Sequence, residues 1–285
     1  MLDLLFSDIR PEMPMETARI FLAILGMAIG SYYDLFNNKN VPERFLYAFL
    51  GIAFLFNVVF FDYDVFAYSA ILGAVVGAAG FAMYRLGQIG GADVFMLVGL
   101  ILLIPVYPSY IELPYGANPP FILAVLTFGV AAFAAYSVID FAKTASREKA
   151  RPNLVYAPLF LLYALVAYVF LTSSFFSEVY FGVASILMLS TIMFLMYREA
   201  IVEATMRQVF IKDLEPEDVV VRDRMDVRAK KMGIGPVLSQ KDIDALKKSG
   251  TKHIWIYANL PPFLPFLAIG LLAALFFGGA LFPAF

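Results

Sequence analysis

Gly90-Gly91-Ala92-Asp93, followed directly by Val94-Phe95-Met96-Leu97-Val98-Gly99-Leu100-Ile101-Leu102-Leu103, is the stretch on which the reading of this chain turns. Its aspartate opens a continuous apolar run. A carboxylate at the mouth of a hydrophobic helix is costly to keep in a membrane and is therefore a functional-site candidate. The glycines ahead of it leave the backbone bare for the close approach of another chain. A plainer role competes: Asp93 accepting hydrogen bonds from the free amides of the first helical turn. A second carboxylate placed to act with Asp93 separates the two.

Composition defines the class. Hydrophobic residues make up 61% of the 285 residues, against roughly 45–50% in a soluble domain. Charged residues are 15% of the chain, and mean hydropathy is +0.79. These values describe an all-α polytopic membrane protein. The net charge of −2, with no basic arm, gives no reason to expect a nucleic-acid partner. Cysteine is absent, which excludes disulfides, thiolate catalysis and Cys-ligated zinc. With His253 as the single histidine, neither a His-based metal site nor any other cofactor is expected.

Working outward, apolar runs cover about 17–33, 45–61, 65–84, 94–107, 120–141, 156–176, 179–197 and 262–283. Each is near the roughly 20 residues needed to cross the hydrocarbon, and the fourth is the shortest. About eight transmembrane helices are expected. Residues 1–16 carry Asp3, Asp8, Glu12 and Glu16 against Arg10, the wrong balance for a signal peptide. The expected divisions are a tail at 1–16, a membrane domain at 17–197, a small α/β cytoplasmic subdomain at 198–260, and a last membrane helix at 261–285. The loops after the first, third, fifth and seventh runs hold 19 of the 21 Lys and Arg residues. The positive-inside rule therefore places those loops in the cytoplasm and both termini outside a plasma membrane.

That topology brings a second carboxylate to Asp93. Asp34 ends a run that travels inward, and Asp93 begins one that travels outward, so both lie at the cytoplasmic edge although 59 residues apart. Asp34 also sits at a helix C-terminus, where an anion opposes the macrodipole. Its plainer role is an interfacial aspartate bonded to Asn37 or Lys39. Asp140 is the weaker candidate, because Lys143 at i+3 suits an ordinary helix-surface pair. Two carboxylates in close approach hold one proton between them. The charged member takes a proton from water, while the protonated member hydrogen-bonds a carbonyl and later serves the leaving nitrogen.

The residues also carry a family resemblance. Asp34-Leu35-Phe36-Asn37-Asn38-Lys39-Asn40-Val41-Pro42 resembles the first aspartate motif of prepilin peptidases. Gly90-Gly91-Ala92-Asp93 resembles their Gly-x-Gly-Asp motif in its archaeal form, and His253–Phe266 is similar to the end of archaeal preflagellin and prepilin peptidases. The resemblance implies a membrane aspartyl endopeptidase with Asp34 and Asp93 as the catalytic pair and Gly90, Gly91 and Ala92 against the substrate. The substrates it implies are preflagellin or type IV pilin-like precursors, cut at the cytoplasmic face between a short basic leader and an apolar helix. The cysteine-rich loop common in bacterial members is missing, and no methyl-donor site is implied. Two alternatives stay open. One is a presenilin-like protease that cuts within membrane helices, for which Tyr33-Asp34 fits but no Pro-Ala-Leu occurs. The other is an ion-coupled transporter that binds a proton or cation between the aspartates.

Within 198–260, Ser239-Gln240-Lys241-Asp242 predicts a capped helix that ends by Gly250. Val219-Val220-Val221 and His253–Tyr257 read as strands, and Arg222–Met232 as a second helix. Asp213, Glu215, Glu217 and Asp218 form an acidic run read as a solvated face, and His253 is expected to be structural or exposed.

Overall fold

The computed structural model describes residues 11–37, 40–113, 119–173, 177–216, 218–225, 233–249, 252–257 and 261–281. Every apolar run foreseen in the sequence is a helix. They are α1 (Glu16–Phe36), α2 (Glu43–Val59), α3 (Tyr63–Arg85), α4 (Gly91–Leu103), α5 (Phe121–Arg147), α6 (Pro158–Thr172), α7 (Glu178–Met196) and, after the soluble segment, α10 (Leu264–Phe277). A 3₁₀ turn at Leu154–Tyr156 leads into α6, and another at Gly278–Leu281 extends α10. Six of the eight are long and apolar enough to cross a membrane. The chain is a multi-pass helical membrane protein.

The two short helices correct the expected lengths. α2 has 17 residues and α4 has 13. At 1.5 Å per residue α4 covers only about 20 Å, against a hydrocarbon core of roughly 30 Å. The run 94–107 does not stay helical because Pro105 forces Ile104 out of the helical region, to φ −130°, ψ 74°. α4 is also the most enclosed helix, with Met96, Leu97 and Gly99 to Leu103 buried. It is packed by α1, α2 and α3, while α1 leads through α10 to α5, then α7, then α6. None of the residues of α6 is buried, so its apolar surface is left for lipid.

Close packing around α4 depends on one ring. Phe49 of α2 lies between two bare helix faces. A Cβ on Gly26 of α1 would meet its Cε2 at 2.1 Å, and one on Gly99 of α4 would meet its Cε1 at 2.4 Å. α5 and α10 cross at a similar notch, where a Cβ on Gly270 would stand 2.3 Å from the Val125 carbonyl oxygen.

The soluble segment departs further from expectation. It begins with α8 (Arg198–Thr205) and contains a two-stranded antiparallel sheet of β1 (Met206–Phe210) and β2 (His253–Tyr257), with Gln208 opposite Trp255. β1 was not foreseen. Val219-Val220-Val221 is not a full strand, but it bonds the other edge of β2 through Val221 N to Trp255 O and Tyr257 N to Val219 O. The expected helix from Arg222 is a 3₁₀ turn at Arg222–Arg224, after which Met225 is extended. Residues 226–232 of that expectation lie outside the described residues, as do Glu217 and Gly250. The capped helix is α9 (Gln240–Lys248). Ser239 Oγ accepts the Asp242 amide, and Asp242 accepts the Ser239 amide at 2.9 Å. Ile211, Leu214, Val220, Leu238, Ile243, Leu246, Ile254 and Ile256 form a core separate from that of the membrane helices. His253 is exposed, with its ring 4.3 Å from that of Phe210. Arg224 pairs with Glu203 and lies over the Trp255 ring.

Candidate active site

Asp34 sits in the last turn of α1 and is only 7% exposed. Of the partners expected for it, Asn37 and Lys39, the second lies outside the described residues, and one partner found comes from another helix. Asp34 Oδ2 accepts the backbone amide of Leu264, the first residue of α10, at 3.0 Å. Asn37 instead donates to the Asn40 carbonyl at 2.6 Å, closing the turn that leads to α2. Leu264 follows Pro261-Pro262-Phe263, and its amide is one of the orphan donors at a helix start. The positive end of the α10 dipole thus offsets the unfavourable placement of Asp34 at the end of α1.

Asp93 is the third residue of α4 and is half-buried. Its Oδ2 accepts the Gly90 amide at 3.2 Å, so the capping role weighed for it is real. The glycines take roles that a reading as a helix stop does not give them. α3 is closed by Gly87, which is left-handed at φ +73°. The Gly87 amide reaches Tyr84 O and the Gln88 amide reaches Met83 O, the paired bonds of a Schellman stop. Gly90 is the N-cap of α4 at φ −72° and needs no special backbone freedom. What it supplies is space. A Cβ there would stand 3.0 Å from Asp93 Oδ2, while one on Gly91 would meet the Tyr84 ring at 3.4 Å. Gly90 is exposed, and Ala92 packs at the edge of the core.

The helices bring the two carboxylates to one end of the bundle. α1 and α4 pack together and run in opposite directions, with Arg19 beside Leu102 and Leu103 at one end and Gly30 beside Met96 toward the other. One turn below Asp34, a Cβ on Gly30 would lie 3.1 Å from Met96 Cε and 3.6 Å from Leu264 Cδ1. Met96 is three residues beyond Asp93, so α1, α4 and α10 meet directly beneath the pair. Asp34 and Asp93 therefore stand at the same end of α1 and α4, each about one turn beyond the Gly30–Met96 contact. Asp140 is elsewhere, exposed on α5. An open concavity of about 610 Å³ on α5, lined by Val138, Ile139, Ala142, Lys143, Ser146 and Arg147, includes neither aspartate of the pair.

Two polar residues deep in the bundle escaped the sequence reading. Arg19 is fully buried in α1 and Asn57 is 1% exposed in α2. Arg19 falls in the first turn of its run, where a cation passes for an ordinary flanking charge. The available signal was a cation three residues inside an apolar helix, with no acidic residue a turn away on its C-terminal side.

The fold defines a polytopic helical membrane protein with two aspartates at one end of adjacent helices. Residues 21–139, which contain both aspartates, match the type IV leader peptidase family. The chain is similar to the prepilin peptidase EppA of Methanothermobacter thermautotrophicus, with 26% identity over 138 residues, 45% of this chain and 36% of the relative. The match therefore spans little more than a third of that relative's length. No solved structure matches the chain. The resemblance to prepilin peptidases drawn from the two motifs is borne out.

Proposed function

We propose that this protein is a membrane aspartyl endopeptidase that removes the leader of preflagellin or type IV pilin-like precursors. The observation that carries the reading is the placement of Asp34 and Asp93 at the same end of the packed helices α1 and α4, within the segment that matches the leader peptidases. Asp34, holding the Leu264 amide at a helix N-terminus, is assigned the charged role, and Asp93 the protonated one. Water attacks the scissile carbonyl carbon as Asp34 takes its proton, and Asp93 gives its proton to the carbonyl oxygen. On collapse of the tetrahedral diol, Asp34, which now carries the proton from water, and not the initially protonated member, passes its proton to the leaving nitrogen and the C–N bond breaks. A diol hydroxyl then returns a proton to Asp93, and both carboxyls regain their starting state. Gly90, Gly91 and Ala92 are the backbone against which an extended substrate lies.

The charge distribution supports a cytoplasmic site in a plasma membrane with both termini outside. The separate core of the soluble segment supports treating 198–260 as its own cytoplasmic subdomain, between the membrane domain at 17–197 and the last helix within 261–285. The test is cleavage of a pilin-like precursor by purified Asp34→Asn and Asp93→Asn proteins. Each is expected to lose activity by about 10³-fold or more, with thermal unfolding unchanged. Near-normal turnover by either variant rules out the pair.

A further inference from the structure

We infer that Arg19 and Asn57 form a clamp on the far end of α4 that sets the position of Asp93 relative to Asp34. This rests on the reading of the two aspartates as the reacting pair. Pro105 ends α4 inside the apolar bundle, which leaves carbonyls without helical partners. Ile104 N takes the Leu100 oxygen at 2.7 Å. Arg19 Nη1 donates to Leu102 O and Leu103 O, both at 3.3 Å, and to Asn57 Oδ1 at 2.9 Å. Asn57 Nδ2 donates to the same Leu102 O at 2.7 Å and to Ala53 O at 3.1 Å. Arg19 Nε is anchored on Pro14 O at 2.8 Å, and the guanidinium lies 5.3 Å from the centre of the Phe56 ring. A cation at a helix C-terminus meets the negative end of the dipole. Arg19 Nη2 has no hydrogen-bond partner among the described residues, so the cluster is not what stability alone selects.

The geometry ties this cluster to the site. Arg19 and Asp34 are on α1 and Leu103 and Asp93 are on α4, so the Arg19 bonds to Leu102 O and Leu103 O pin the two helices to each other at the end opposite the aspartates. A helix too short to be held by both membrane interfaces is held here by α1 itself, the helix that carries the other aspartate. Arg19 and Asn57 are positioning residues, remote from any substrate.

The absence of native cysteine allows a direct test. Gly30→Cys with Met96→Cys reports the register of α1 against α4 through the yield of a short bifunctional thiol cross-linker. In this background Arg19→Met is expected to lower that yield at least threefold. In the cysteine-free protein it is expected to lower kcat at least tenfold, with KM changed less than twofold. Arg19→Lys restores the charge but not the two-carbonyl grip and is expected to fall between. An unchanged cross-link yield in folded Arg19→Met overturns the clamp, whatever the activity. A reduced yield with wild-type kcat overturns its link to the reaction. If Arg19→Met does not fold, Asn57→Leu decides on the same two readouts, because it leaves the Arg19 bonds to the Leu102 and Leu103 carbonyls and removes the Asn57 half of the clamp, the donor to Leu102 O and the acceptor of Arg19 Nη1. Continued cleavage by Asp93→Asn would instead sink the reading of the pair, and the cross-link yield would still report the clamp.

Discussion

At the scale of single residues, three glycines near Asp93 that look alike in sequence have different physical duties. Gly87 alone needs a left-handed backbone. Gly87→Ala is therefore expected to cost about 1–2 kcal/mol of stability while leaving the carboxylates in place. Gly90→Ala brings a methyl group to 3.0 Å from the Asp93 oxygen and is expected to cut cleavage about tenfold, roughly 1.4 kcal/mol of barrier, with little change in unfolding temperature. Gly91→Ala, facing the Tyr84 ring at ordinary contact distance, is expected to be the mildest. The check is unfolding temperature and cleavage rate for all three; equal losses at 90 and 91 would contradict the assignment. The two aspartates were legible because a charge in an apolar run is conspicuous. Which glycine stops α3 was not, since the choice depends on where the Schellman bonds close. Nor was the Leu264 partner of Asp34, which lies 230 positions along the chain.

At the scale of elements, hydrophobic runs located every membrane helix, and local chemistry located α9, because a Ser-x-x-Asp cap is written into adjacent residues. His253–Tyr257 is the strand that was expected, but the identity of its partner failed for a physical reason. Val219-Val220-Val221 has the side chains of a strand, yet Met206-Arg207-Gln208-Val209-Phe210 makes the continuous ladder with β2. β-preference is mostly a matter of which neighbours a segment packs on, and those are distant in sequence. The packing of α1, α2 and α4 on Phe49 makes its own prediction. Gly99→Ala forces the ring aside and is expected to destabilise by about 1–3 kcal/mol. Placed in a Phe49→Ala protein, the same change has room to spare and should cost nothing measurable. Thermal unfolding of the two single variants and the double gives the coupling directly. An additive result would mean that the ring does not sit in the Gly26–Gly99 notch.

At the scale of the whole molecule, the soluble segment is seated on the loop that carries the site. A Cβ on Gly87 would meet Val219 Cγ1 at 3.2 Å and Val237 Cγ2 at 3.4 Å, so the Val219–Val237 bridge covers the turn six residues before Asp93. Two features bear on the proposed cleavage of a precursor: the depth of the carboxylates in the membrane and the soluble segment over the loop. Single cysteines at Ser146 and Ser109, both exposed and on opposite ends of the bundle, first fix the orientation. Position 146 is expected to label only from the cytoplasm and 109 only from outside. Depth is then tested through the substrate. A Lys or Arg resists entering the bilayer by roughly 2.5–3.5 kcal/mol at the centre, which on the proposed function stops the precursor helix with its leader junction at the edge. Moving that charge one turn into the apolar helix, about 5.4 Å, is expected to move or abolish the cut, as read by mass spectrometry of products made in native-like membranes. Val219→Asp loosens the loop instead, and is expected to slow cleavage about tenfold without moving the cut. A displaced cut with Val219→Asp, together with an unmoved one in every charge variant, would transfer the choice of bond from membrane depth to the soluble segment.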